Sequence, residues 1–328
     1  MRTLRLILHL LSAVMLMWPS AQAQDIHFSQ VDIDPILSNP SYTGFFDGSG
    51  RFGLAYRNQW ASVTNAFQTL AASAEVALTR RRYQRDGLNI GVYLYRDVEG
   101  ELRYGTNLAS ASLSYFVAVS GDRHFISIGL EGGYGQLGFD LTEARFEESG
   151  DDIASRRVIF PTIGAGMAWF YNPSDNFYTK VGIAAHNINR PNISFMGLDD
   201  TYREPRFNVY WRSELRQWAT FSLLPIVAAQ HQHNYNELLM GMDAKWYISE
   251  SRTLRLAFTA GLYYRWRDAL MLPLSVEYNA FIFALCYDAN LSKLTPASKS
   301  VGSFELQTVY LINPQKTVKR KALPCPII

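Results

Sequence analysis

Three groups of residues in this chain could do chemistry. His231 and His233 alternate along one predicted strand, so both rings project to the same side, as two metal ligands can. His27 and Ser29 raise the hypothesis of a hydrolase, because a histidine can activate a serine hydroxyl. Residues 129–139, GLEGGYGQLGF, have a glycine content like that of a phosphate-binding loop.

Each group lacks what its chemistry needs. No third ligand accompanies His231 and His233, and polar histidines near the end of a strand need no metal. No nucleophile elbow and no serine, histidine and acid spacing surrounds Ser29. The run 129–139 lies within an alternating segment and precedes no helix, so its glycines relieve crowding or allow curvature in a sheet. We therefore expect no catalysis, no metal ion and no cofactor.

The elements that position these residues are segments of about ten residues in which apolar and polar side chains alternate, a pattern typical of strands with one apolar face. In the first segment, Phe52 and Leu54 face one way, and Arg51 and Arg57 face the other. Fourteen such strands are predicted, at about 51–57, 68–78, 87–97, 105–119, 124–139, 158–171, 177–189, 205–218, 221–233, 237–248, 253–267, 269–279, 280–289 and 302–312.

One face of these segments is apolar, with Tyr or Trp near the ends, and the other face carries charge of both signs. The charges are Glu131, Lys180, Arg206, Arg212, Glu214, Arg216, Asp243, Lys245, Glu277 and Glu305. An apolar exterior with aromatic belts around a charged interior predicts an all-β fold, a transmembrane antiparallel β-barrel. The alternative is a secreted soluble β-sandwich, but sandwich strands are shorter, and this charged face would need solvent along its whole length.

The connections between segments alternate in length, as expected for an even-stranded barrel with periplasmic termini. Long connections at 140–157, 190–204 and 290–301 follow odd segments, and most of those that follow even segments are short. The acidic loop 141–152 is therefore predicted to lie outside the cell, and the basic turn 80–85 to face the periplasm.

The first residues read as a secretory signal peptide, with two arginines, an apolar run and an Ala-Gln-Ala exit that predicts cleavage before Gln24. Cleavage removes two Arg and no acid, so the formal net charge falls from +2 to 2 − 2 = 0, and nothing global attracts nucleic acid. Cys286 and Cys325 are too few for a disulfide framework; a bond between them and two independent thiols both remain open. The predicted domains are the signal peptide 1–23, a lumenal or periplasmic lead-in 24–50, the barrel 51–312 and a basic periplasmic tail 313–328.

The mature chain opens with Asp25 to Gln30 (DIHFSQ) and Asn39-Pro40, its first strand leads into Tyr56 to Trp60 (YRNQW), and its last two strands lie within Tyr287 to Ile312. In order and spacing these motifs resemble the PorP/SprF proteins, outer-membrane components of the type IX secretion and gliding machinery of Bacteroidota. The resemblance implies a non-enzymatic outer-membrane protein that helps to secrete or anchor surface cargo and contacts periplasmic ring or lipoprotein components. It would be either a core component or a paralogue dedicated to one cargo. The alternative is a general porin-like small-molecule channel, which the strand pattern alone does not exclude.

The predicted partner-binding residues are His27, Phe28, Gln30, Asn39, Pro40, Arg57, Trp60, Arg80, Arg81, Arg82 and Arg85. The arginines of the turn 80–85 form either a solvated turn or a docking surface for an acidic periplasmic partner or for anionic lipid. Residues 25–46 are too polar for lipid and too rich in Phe, Tyr and Pro for a free tail, so we expect them to fold into the lumen or to cap its periplasmic mouth. Arg57 and Trp60 would help to fix the first strand.

Overall fold

Apolar and polar residues alternate along most of this chain, and most of the chain forms β-strands. The computed structural model describes residues 28–30, 33–59, 67–79, 86–100, 103–120, 123–139, 156–174, 176–195, 201–251, 253–291 and 301–313. The strands are β1 (Gly50–Gln59), β2 (Phe67–Ala77), β3 (Asp86–Glu99), β4 (Tyr104–Ser120), β5 (His124–Phe139), β6 (Arg156–Ser174), β7 (Phe177–His186), β8 (Arg206–Trp218), β9 (Phe221–Gln232), β10 (Tyr235–Glu250), β11 (Arg255–Arg265), β12 (Ala269–Tyr278), β13 (Phe281–Asn290) and β14 (Val301–Ile312). Sequential strands pair antiparallel and β14 pairs with β1, so the sheet closes. The predicted fourteen-stranded antiparallel barrel is confirmed.

The two faces of the wall are those that the alternation predicts. Phe52 and Leu54 are 49% and 60% exposed on the outside, whereas Arg51 and Arg57 are buried inside. The other predicted inward charges are also buried, apart from Arg216, which is half-buried near the end of β8. An apolar exterior around a polar interior is the arrangement of a transmembrane barrel.

Aromatic side chains gather on the outer face near both ends of the barrel. His124, Trp169 and Tyr171 stack side by side where β5 begins and β6 ends. At the opposite end, Tyr264 and Trp266 pack edge to face. Their positions match the two aromatic belts by which membrane barrels meet the lipid head groups.

Some strand ends differ from the sequence prediction, and one ladder is irregular. β1 continues past the predicted end at 57, because Asn58 and Gln59 both pair with β2 and with β14. β7 ends at His186, since Asn187 adopts a positive φ of 55° and turns the chain. β9 passes through Pro225, and its ladder with β8 has a gap around this residue, which has no N–H to donate.

The two ends of the barrel differ in their connections. The long connections 140–155, 187–205 and 291–300 all follow odd-numbered strands, and the connections after even-numbered strands are shorter. We call these ends the long-loop end and the short-turn end. The acidic loop 141–152 and the basic turn 80–85 lie outside the described residues, so the side of the membrane that each end faces stays a prediction. Within the described ranges, no helix is long and apolar enough to cross a membrane.

Candidate functional site

The inside of the barrel holds the stretch of chain that precedes β1. Residues 28–30 and 33–49, here called the lumenal segment, are buried almost throughout and contain two short 3-10 helices, Pro35–Leu37 and Pro40–Tyr42. All three apolar clusters found among the described buried residues include residues of this segment. The described residues of the segment therefore lie inside the barrel.

The lumenal segment runs along the length of the barrel. Ser29 contacts Arg265, the last residue of β11, at 3.2 Å. Asp47 lies 3.4 Å from Arg255, the first residue of the same strand. The segment thus starts in the long-loop half of the lumen and ends at the short-turn end, where it continues into β1.

The start of the segment is held by the last strand of the wall. The N–H groups of Ser29 and Gln30 donate to the two carboxylate oxygens of Glu305, over 2.8 and 3.1 Å. The Gln30 side chain donates to the Leu285 carbonyl over 2.6 Å, and its own carbonyl accepts from Gln307 over 3.3 Å. A carboxylate that accepts from backbone N–H groups makes strong, charge-assisted hydrogen bonds.

The Ser29 hydroxyl lies at the centre of a buried charge cluster. It donates to Asp288 at 3.1 Å and accepts from Arg57 and Arg265, each at 3.2 Å. Arg57 also lies 3.6 Å from Glu305, so two arginines face two acids. Buried charges are tolerated only when they are matched in this way. Ser29 is engaged by carboxylate and guanidinium groups, which is a structural arrangement and not that of a serine nucleophile.

The turn of the segment at Ser38 is bonded to the opposite wall. Its carbonyl accepts from Asn208 over 2.8 Å and from His186 Nε2 over 3.0 Å. The other ring nitrogen, Nδ1, lies 2.6 Å from Glu131. A carbonyl can only accept, so His186 donates to Ser38 through a hydrogen on Nε2.

Small wall residues hold the next part of the segment through its backbone. Ser127 donates to the carbonyl of Ser41, and Ser114 donates to that of Thr43, each over 2.7 Å. The Asn39 side chain caps the second 3-10 helix by accepting from the Ser41 N–H over 2.9 Å. Hydrogen bonds to the backbone fix the path of the chain, whatever its side chains.

Aromatic packing anchors the segment beyond this point. Phe45 stacks on Phe170 with the ring centroids 3.5 Å apart, and Tyr42 packs edge to face against Phe170 and Tyr210. Lys180 lies 5.3 Å from the centre of the Tyr42 ring, a cation–π distance. Tyr42 and Phe45 are almost fully buried, so this contact removes much apolar surface from water.

Two wall glycines make room for the segment. A Cβ atom at Gly129 would lie 2.4 Å from the backbone of Pro40, and one at Gly182 would lie 2.2 Å from the Tyr42 hydroxyl oxygen. Both distances are far below van der Waals contact. The glycine content of 129–139, read from the sequence as a relief of crowding, here permits close approach of the segment.

Asp34 is the acid of the segment whose environment is least favourable to charge. Its carboxyl is buried beside Ser73 and has no well-aligned hydrogen bond among the described residues. Burial raises its pKa from 3.8 to about 6, and Glu75 adds to the rise while Arg51 opposes it. Arg51 and Glu75 themselves form a fully buried ion pair at 2.5 Å.

Two cavities remain between the segment and the wall, and Gln30 borders both. One is lined by Arg212 and Lys245 together with their acid partners. The other is more apolar and includes Leu37 and Tyr210. The segment therefore crosses the lumen without filling it completely.

The predicted partner-binding residues fall into two sets. Phe28, Gln30, Asn39, Pro40 and Arg57 come together inside the barrel, where they contact the wall or the rest of the segment. The residues that lie outside the described part of the chain are His27, Trp60, Arg80, Arg81, Arg82 and Arg85. Binding of partners by either set stays a prediction.

Sequence reasoning missed several residues that hold the segment. They are Ser38, Tyr42, Ser127, His186 and Asp288. A usable signal was present in the inward positions of β4 and β5, where small side chains follow one another at Ser112, Ser114, Ser127 and Gly129. Small inward residues on neighbouring strands mark a place where another stretch of chain comes close.

The remaining candidates for chemistry lie apart from one another. His233 is in the turn after β9, with φ of 52°, so it does not share a strand face with His231, which is hydrogen-bonded to Asn236 at 2.7 Å. In the described part of the chain, no group of three or more His, Cys, Asp or Glu could hold a metal ion. Cys286 is a buried free thiol, and Cys325 lies outside the described residues.

A family model described as "Type IX secretion system membrane protein PorP/SprF" matches residues 20–310. The chain belongs to the PorP/SprF family. The match covers the lumenal segment and every strand except the last two residues of β14. Family membership therefore applies to the barrel and the lumenal segment together. No curated protein matches the chain.

Solved structures resemble this member of the PorP/SprF family in fold. One is the Pseudomonas putida toluene transporter TodX, with a TM-score of 0.51 and 9% identity, covering 84% of this chain and 92% of TodX. Another is the CymD monoaromatic hydrocarbon channel, with a TM-score of 0.50 and 13% identity, covering 85% of this chain and 92% of CymD. At such identities the likeness shows the barrel fold alone.

Proposed function

We propose that this chain is a non-enzymatic outer-membrane component of the type IX secretion machinery that helps to secrete cargo or to hold it at the cell surface. Family membership supports the role, and one observation carries it: the lumen contains a segment bonded to opposite sides of the wall. Glu305 of β14 holds its start, and Ser127 of β5 holds Ser41. A porin conducts through a water-filled lumen. A barrel occupied by its own chain instead offers its rims to other proteins.

In this proposal the signal peptide directs export, cleavage before Gln24 frees the lumenal segment, and the short-turn end faces the periplasm. The basic turn 80–85 and the basic tail 313–328 would dock periplasmic ring or lipoprotein components, since clustered positive charge attracts acidic surfaces. Cargo would meet the long-loop end of the barrel. The predicted partner-binding residues that are buried in the barrel would not touch partners themselves. They would hold the lumenal segment in place.

The second candidate is a small-molecule channel. The two cavities beside the segment favour it, as do the names of TodX and CymD. A liposome-swelling assay on the purified protein separates the two functions. An open channel passes small sugars, whereas a closed secretion component does not.

The secretion role is tested by deleting the gene in a host that uses type IX secretion and labelling surface cargo on intact cells. We expect surface cargo to be lost and to return when the full chain is restored. Unchanged surface cargo, together with reduced uptake of small solutes, would favour the channel.

A further inference from the structure

The hairpin of β5 and β6 reaches farther toward the long-loop end than the strand next to it. β6 pairs with β5 from Arg156 onward, whereas its pairing with β7 begins only at Ala165. Among the described residues, the stretch 156–164 therefore has a neighbouring strand on one side only. A strand with one neighbour presents unpaired N–H and C=O groups on its other side.

The contacts nearest β7 show which backbone groups face the open side. The Ile163 N–H donates to the Asn189 side chain over 3.0 Å, and its carbonyl accepts from the Ile188 N–H over 2.9 Å. The Pro161 carbonyl accepts from Asn189 over 2.9 Å. Backbone groups alternate in direction along an antiparallel strand. The N–H and C=O groups of Ile159, two residues before Pro161, therefore also point to the open side of β6.

Ile159 and Arg157 form an open strand edge. Among the described residues, no group pairs with their N–H and C=O groups. Pro161 has no N–H, and its carbonyl is already taken, so the edge stops there. Two residues that offer one donor and one acceptor each can make four hydrogen bonds to an added strand.

Two described residues of the connection after β7, Phe195 and Arg203, contact the inner face of the hairpin and not this edge. Arg203 sits over the ring of the fully buried Phe160, 5.1 Å from its centre. Phe195 packs edge to face against Phe139 at 5.1 Å. Outside, Ile159 is 69% exposed and Ile188 is 47% exposed, so the flank of the edge is apolar.

We propose that the edge formed by Arg157 and Ile159 binds an extended segment of a partner polypeptide by strand addition. Main-chain hydrogen bonds would supply the affinity, with an apolar side chain of the partner across from Ile159 and an acidic one near Arg157. A second copy of this chain is a poor occupant, since two such short edges bury far less than the roughly 1,000 Å² of a stable interface. The inference rests on the proposed function only for the identity of the partner, a secreted cargo, and its test needs no secretion component.

The test uses Ile159→Pro, which removes the N–H that faces the open side of β6. Because that N–H makes no bond to β5, and Pro161 already occupies an equivalent position, the hairpin should persist. Ile159→Ala is the matched control, since it shortens the side chain but keeps the N–H. The probe is a short fluorescent peptide that alternates threonine and valine and carries one glutamate, and binding to the detergent-solubilised protein is followed by fluorescence anisotropy.

We expect Ile159→Pro to weaken binding by about tenfold or more, and Ile159→Ala to weaken it by no more than about threefold. Methylation of the pairing amides of the peptide should abolish binding. The proposal is overturned if the unchanged protein does not bind the peptide, if Ile159→Pro binds as tightly, or if the methylated peptide binds equally well. Oxidative cross-linking of Ile159→Cys into a dimer would assign the edge to a second copy and contradict the proposed occupant.

Discussion

The backbone N–H of Ser29 donates to Glu305 Oε2 over 2.8 Å, so the first described residues of the chain are fastened to its last strand. The Gln30 N–H takes the other carboxylate oxygen at 3.1 Å. The strand that carries Glu305 is also the strand that closes the barrel against β1. Seating of the lumenal segment and closure of the wall are thereby coupled through one side chain.

Glu305→Gln should loosen the start of the segment. One acceptor oxygen becomes an NH₂ group, so one of the two backbone N–H groups loses its partner, at a cost of about 1.5–3 kcal/mol. We expect brief openings in planar bilayers to become roughly tenfold more frequent. Glu277→Gln is the control, because it removes the same charge from the lumen wall at a residue that pairs with Lys245. Equal opening frequencies in the two variants would contradict this role of Glu305.

Gly129→Ala should displace the segment at its second 3-10 helix. The new Cβ would lie 2.4 Å from the Pro40 backbone, which cannot move aside as a flexible side chain could. Gly132→Ala is the matched control in the same strand, since a Cβ there meets nothing within 4 Å. Limited chymotrypsin digestion reports the change, because Tyr42 and Phe45 are buried cleavage sites. We expect cleavage there to accelerate at least about fivefold in the first variant only; similar rates would count against tight packing at this point.

Asp34 should make the docking of the segment sensitive to pH. Burial raises its pKa from 3.8 to about 6, so the docked segment holds the proton more firmly than the released one. Docking is then strongest at low pH, weakens as the pH rises from about 4 to 6, and stays weaker above that range. We expect opening events to become at least about tenfold more frequent between pH 4.5 and 7. Asp34→Asn, which cannot ionise, should remove most of this rise, and an unaltered pH profile in that variant would assign the effect to other groups.

The strand count and the two faces of the wall could be predicted because period-two alternation leaves a local record in the sequence. The apolar Phe52 and the charged Arg51, for example, can be assigned to opposite faces from their side chains alone. Strand ends were harder to predict, since the turn at Asn187 depends on a positive φ that the residue type permits but does not require.

The contacts of the lumenal segment are long-range and left weaker signals. Ser29 and Glu305 are separated by nearly the whole chain, and nothing in either residue indicates the other. His186 and Glu131 meet only because the barrel brings β7 and β5 close. Composition placed the segment near the lumen, and geometry alone identified its partners.

The basic turn should matter to periplasmic partners and not to the barrel. Replacing Arg80, Arg81, Arg82 and Arg85 by glutamine removes a positive patch that an acidic surface would recognise. We expect the barrel to assemble normally and co-purification with periplasmic type IX components to fall at least about fivefold. Replacing Lys319, Arg320 and Lys321 of the tail in a separate variant shows whether any loss is specific to the turn. Unchanged co-purification would contradict docking by the turn and favour a solvated turn.

The most direct test of a barrel closed by its own chain is the single-channel conductance of the protein in planar bilayers, with and without residues 25–45. The deletion removes Ser29, Asn39 and Tyr42 with their contacts but leaves every wall strand. The account predicts rare, small openings for the full chain and a large, steady conductance for the deleted one. An unchanged conductance after the deletion, or a full chain that is already steadily open, would contradict it.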